Sequence, residues 1–119
     1  MALSTQRLDL LSKLLDVSAM RQDVIAQNVA NINTPGYRTL EISFDDALNQ
    51  AMASNDPAAI QGIQPQVVEG NGGIMREDGN NVDVDLEMVR LQKNALYFKV
   101  YTQLMANDLA QFRAAIAGR

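Results

Sequence analysis

The chain contains no cysteine and no histidine among its 119 residues. That excludes disulfides, Cys or His zinc sites, Cys–His nucleophiles and histidine general bases. Any catalysis would fall to carboxylates, Lys, Ser or Tyr. Tryptophan is absent and aromatics make up 5% of the residues, while 47% are hydrophobic. The apolar mass is therefore Leu, Val, Ile, Ala and Met, which favours helix over a β sandwich. No apolar run is long enough to span a bilayer. The first residues, Met1 to Arg7, lack the basic and apolar regions of a Sec signal, so any export is expected without a cleaved signal peptide. The length suits one small domain.

What the chain does have is an uneven charge. The net charge is −4. Residues 1–38 carry four bases and three acids, a net +1. Residues 39–87 carry one base, Arg76, and ten acids, a net −9. Residues 88–119 carry five bases and one acid, a net +4. A domain with so acidic a middle is a poor partner for nucleic acid.

Apolar spacing divides the chain into three parts: a helix and turn at 1–37, an insert at 38–81, and a second long helix at 82–119. The first helix is expected from about Ser4, with Ser4 or Thr5 as N-cap, to Asn31. Alternating steps of three and four run through Leu8, Leu11, Leu15, Ser18, Gln22, Ile25, Val29 and Ile32, a coiled-coil-like seam. Leu10, Leu14, Val17 and Val24 form a second apolar row beside it. Pro35 stops the helix, and Pro35-Gly36 suits a type II turn with Gly36 at positive φ.

In the insert, Ser43 is the expected cap of a short helix whose apolar face is Phe44, Ala47, Leu48, Ala51 and Met52, ending near Pro57. Residues 58–81 show no clear period. Gln66–Glu69 and Ile74–Arg76 flank Gly70-Asn71-Gly72-Gly73, a spacing that allows a small β-hairpin. The last helix is expected from about Val84 to Ala117, with Asp83 or Asp85 as cap. Its seam is Met88, Leu91, Ala95, Phe98, Thr102, Met105, Leu109, Phe112 and Ile116, with Tyr97, Tyr101 and Leu104 in a second row. The expected fold is mostly α: two long terminal helices packed antiparallel, coiled-coil-like, with a short irregular insert. If the two seams face each other, Leu10, Leu14, Val17, Val24, Tyr97 and Tyr101 are left for association with other chains.

The stretch from Arg21 to Tyr37 includes Asn28, Ala30, Asn31, Thr34, Pro35, Gly36 and Tyr37. It resembles the N-terminal signature of the flagellar rod, hook and axial proteins, a helix ending in Asn-x-Ala-Asn followed by Thr-Pro-Gly-Tyr. The run Asn81-Val82-Asp83-Val84-Asp85-Leu86-Glu87-Met88, leading to Tyr97 and Thr102-Gln103-Leu104, is similar to the proximal rod proteins of the B type, with the C type as rival. The resemblance covers both long helices, but nothing in residues 55–76. It implies a structural subunit of the basal-body rod that polymerises through its terminal helices and transmits torque. It also implies flagellar type III export and a place in the periplasmic rod. The implied partners are copies of itself, other rod proteins, and the membrane-embedded ring with its rod adaptor. No cofactor, metal, nucleic acid or small-molecule substrate is implied.

Blander readings stand beside these. Asn28 to Tyr37 is also what a helix stop and turn needs. The polar run Glu77–Asp85 lacks the ligand order of an EF-hand. The acid pairs Asp45-Asp46 and Asp83/Asp85 sit at expected helix starts, where acids are favourable without catalysis. Two rivals to the rod reading remain: a cytoplasmic helical binding module or export chaperone, and a small carboxylate enzyme.

Overall fold

A computed structural model describes residues 2–118, and side chains from residue 5 to 118. Helix α1 spans Ala2–Ala30, strand β1 Leu40–Ser43, helix α2 Asp45–Ala53, helix α3 Pro57–Gln61, strand β2 Gln66–Glu69 and helix α4 Val84–Ile116. The start of α1 precedes the expected Ser4 or Thr5 cap, so both residues lie inside the helix. Asp83 caps α4, its side chain accepting from the backbone N–H groups of Asp85 and Leu86. Asp85 and Glu87 in the first turn and Arg113 in the last both suit the helix dipole.

The two long helices pack antiparallel. Going along α1, Arg7, Ser18 and Asn28 meet Asp108, Asn94 and Glu87 in that order. At 1.5 Å per residue α4 is about 50 Å long, and the molecule measures 64 × 27 × 15 Å.

The insert departs from expectation in three places. Strand β2 pairs antiparallel with β1, from Leu40 opposite Glu69 to Ser43 opposite Gln66, and not with Ile74–Arg76. The winning pairing lets Leu40 and Ile42 of β1 face the core. Residues 76–80 are instead turned back on themselves, with Arg76 N–H donating to Asn80 O and Gly79 N–H to Arg76 O. The cap of α2 is Phe44, not Ser43, and it makes no side-chain cap bond. Burial of the Phe44 ring, 1% exposed, fixes that helix start in place of a polar cap. Finally, α3 follows where no helix was expected, with Asp56 capping Ala58 N–H and Pro57 at the first helical position.

The core lies between α1 and the insert. Val17 and Val24 of α1 meet Ile42 and Phe44, flanked by Leu14, Met20, Leu40, Leu48 and Ile63. Leu14, Val17 and Val24 of the second apolar row of α1 are therefore covered within the chain. The expectation that Leu14, Val17 and Val24 await another chain is corrected: the insert supplies the third layer that a helix pair lacks. Arg21 pairs with Asp45 at 3.1 Å and fixes the start of α2 against α1.

Candidate functional site

Two features stand out: a buried amide clasp built from the signature residues, and the outer surface of α4. The clasp centres on Asn28, which is 0% exposed near the end of α1. Its Nδ2 donates to Leu40 O at 2.9 Å and to Glu87 Oε2 at 3.1 Å. Its Oδ1 accepts from Tyr37 Oη at 2.9 Å and from Leu40 N at 3.0 Å. Every hydrogen-bonding position of the amide is used. One side chain thus ties together α1, the turn, β1 and α4.

Glu87, also 0% exposed, accepts from Arg90 Nη1 at 2.6 Å through its other oxygen. A buried carboxylate held by a guanidinium and an amide escapes the cost of an unpaired charge. Burial, and secondarily the Glu87 charge, push the Tyr37 phenol above its ordinary pKa. Tyr37 therefore keeps the proton it donates to Asn28.

Neighbouring residues extend the clasp to the chain leading into α4. Asn31 Nδ2 donates to Gln27 O at 2.8 Å, satisfying a helix-terminal carbonyl, and Thr34 Oγ1 donates to Asn31 Oδ1 at 3.0 Å. Asn80 Nδ2 donates to Asn31 O at 2.8 Å and Thr34 O at 2.9 Å. Thr39 N donates to Asn81 Oδ1 at 2.7 Å. Arg76 donates through Nη1 to Val82 O at 2.9 Å, and through Nη2 to Ile32 O. Gly36 has φ +76°, as the turn requires, and its N–H donates to Asp78 O at 2.8 Å. Gly79, at φ +83°, lies against the turn, where a Cβ would be in contact with Gly36 Cα at 3.4 Å. Ala30 and Pro35 are exposed, and α1 ends at Ala30, ahead of the Thr34–Tyr37 turn that holds Pro35. The signature amides are thus largely engaged inside the chain. Asn28 has no bonding capacity left for a neighbouring subunit, because all of it is filled internally.

The α1–α4 contact also differs from the seam-on-seam packing expected. Leu11 and Ile25 of the α1 seam are buried, and Leu8, Leu15 and Val29 partly so. From α4 the deeply buried residues are Glu87, Asn94 and Asp108, all polar. With the partly buried Tyr101 they recur every seven residues, a polar column facing α1. Asn94 Nδ2 donates to Ser18 O at 2.8 Å, and Arg7 Nε lies 3.0 Å from Asp108 Oδ2 without hydrogen-bond alignment. Ser18 Oγ and Asn94 Oδ1 are buried without a protein partner.

The apolar seam of α4 is correspondingly turned aside. Leu91, Met105 and Phe112 are partly buried, whereas Met88, Phe98, Leu109 and Ile116 are exposed, Phe98 at 47% and Ile116 at 71%. Leu10 and Tyr101 are partly buried and Tyr97 is exposed, the two tyrosines stacking at 6.2 Å. A further row, Val89, Leu96 and Val100, lies exposed on the back of α4.

Sequence reasoning missed Thr39, Asn80, Asn81, Glu87, Asn94 and Asp108 as structural residues. The signal was present in the seven-residue recurrence of polar side chains along α4 and in the Asn80-Asn81 doublet. Among the described residues, no helix is long and apolar enough to cross a membrane.

A family model described as "Flagella basal body rod protein" matches residues 18–38, the stretch that holds Asn28 and the turn of the clasp. Flagellar basal body rod protein FlgB of Borrelia hermsii is 29% identical, over 91% of this chain and 93% of that protein. The FlgB of Bacillus subtilis is 25% identical over 99% of this chain and 98% of its own. The FlgB of Escherichia coli K12 is 28% identical over 80% of this chain and 81% of its own. These likenesses, spanning most of the chain, support a FlgB-like flagellar basal-body rod protein.

Proposed function

We propose that this chain is a structural subunit of the flagellar basal-body rod, joined to neighbouring subunits through the outer face of α4. The observation that carries the reading is the exposed apolar length of α4, on a chain similar almost end to end to rod proteins. Met88, Phe98, Leu109 and Ile116 run along the helix and keep 41%, 47%, 42% and 71% of their surface exposed. Apolar surface of that extent favours association, at about 25 cal/mol per Å² buried. The clasp holds the two long helices in fixed register, so the chain acts as a stiff strut suited to passing torque. Its work is mechanical, with no turnover.

The finer assignments follow the same reading. The partners are copies of this chain, other rod proteins, and the membrane-embedded ring with its adaptor. The location is the periplasmic rod, reached through the flagellar type III export apparatus. The axial-signature residues set internal geometry, while the α4 seam residues make the subunit contacts.

The test is isolation of basal bodies from cells that make a tagged copy. Retention of the tag in the basal-body fraction is expected. Recovery only in the cytosol, as for an export chaperone, would overturn the reading.

A further inference from the structure

Taking the rod-subunit reading as its ground, we infer that the back row of α4 on one copy seats in the groove between α1 and the α2–α3 corner of a second copy. The groove has a volume of about 510 Å³ and an apolar floor of Leu10, Met52 and Ile60. Asp9 and Asp56 stand among its lining residues with one base, Lys13, whose ammonium is held by the Ile60 and Gln61 carbonyls, so the lining is net acidic by one charge. The candidate occupant is Val89, Leu96 and Val100, exposed at 60%, 60% and 44%. Val89 and Leu96 each follow a buried polar residue, Glu87 or Asn94, by two positions. Two positions is about 200° of helical rotation, so the row faces away from α1 in its own chain. It cannot reach the groove of its own molecule.

Charge selects the occupant. Lys93 is one turn from Val89 and Leu96, and its ammonium lies 5.7 Å from the Tyr97 ring centroid. Helix α4 carries four bases and three acids, a net +1, and residues 38–81 carry two bases and seven acids, a net −5, so like copies attract when α4 of one meets the insert of the other. Groove and row are different surfaces, so the contact is heterologous. Repetition of such a contact generates a ring or an open helical array rather than a closed pair.

The absence of cysteine makes the test clean. Cells carrying Met52→Cys, Leu96→Cys, or both in one chain supply basal bodies, which are oxidised and run without reductant. The double variant is expected to give a ladder of multimers of this chain that neither single variant gives, with the link mapped between positions 52 and 96. In parallel, Lys93→Glu is expected to lower incorporation, and Asp9→Lys added to it to restore incorporation. Double-variant chains present in basal bodies without a ladder would overturn the contact. So would a link to a different flagellar protein, or failure of the charge swap to restore incorporation. Absence of the unmodified chain from basal bodies would instead overturn the rod-subunit reading itself.

Discussion

At the residue scale, Asn28 and Gly36 carry the geometry. Asn28→Ala removes four bonds and leaves Glu87 buried with Arg90 as its remaining partner. The cost is expected at about 3 kcal/mol, read as a lowered denaturant midpoint. Asn28→Asp is expected to cost more, because a second carboxylate would then face Glu87 Oε2 from hydrogen-bond distance. At Gly36 nothing lies within 4 Å of a built Cβ, so the penalty of substitution is backbone strain alone. Gly36→Asn should therefore lose less stability than Gly36→Val, since Asn tolerates positive φ and a β-branched residue does not. Equal midpoints for the two variants would contradict this.

Titration tests the same clasp. Tyr37 is raised above the ordinary 10.0 by burial and then by Glu87. Tyr101 is raised chiefly by burial, with Arg21 opposing and Asp45 and Tyr97 adding to the rise. The folded chain holds these protons more tightly than the unfolded chain. Their contribution is fully present below the unfolded value of 10.0 and is lost as pH rises through the folded values. Unfolding midpoints should fall above pH 10.0, and less steeply in Tyr37→Phe, which lacks one of the two phenols.

At the element scale, the two faces of the helix pair should answer differently to charge. Val17 is 1% exposed in the core and Phe98 is 47% exposed on α4. Val17→Asp buries an unpaired charge and should prevent folding. Phe98→Asp should shift the thermal midpoint little, yet abolish incorporation into rods. A Phe98→Asp chain that also fails to fold would move Phe98 from the assembly face to the core. Both long helices were legible in the sequence because their apolar spacing is sustained and Pro35 and Asp83 mark a stop and a start. Which face of α4 turns inward was not legible. Apolar residues stand on several sides of it, from Phe98 through Met88 to Leu96, so periodicity alone gives no preferred direction. The polar column at Glu87, Asn94 and Asp108 decides the matter, because α1 offers Asn28, the Ser18 carbonyl and Arg7 opposite. The strand pairing was missed for a different reason. A Gly-rich segment suggests a local hairpin, whereas β2 finds its partner more than twenty residues upstream in β1.

At the scale of the whole molecule, the clasp and the α4 surface divide the labour. The clasp occupies its amides internally and fixes an elongated body of 64 × 27 × 15 Å. The surface of α4 is left apolar along most of its length. The signature could be read as a turn or as an assembly motif; in the structure it forms the turn that locks the two long helices in register, and assembly is proposed for the apolar surface of α4. The central claim is that this face joins the chain to the rod. The most direct measurement is the amount of tagged chain in purified basal bodies, compared between the unmodified protein and Phe98→Asp, with circular dichroism of both purified chains. The account predicts retention of the unmodified chain, loss of Phe98→Asp, and matching helical signals from the two. Undiminished retention of Phe98→Asp in swimming cells would contradict it.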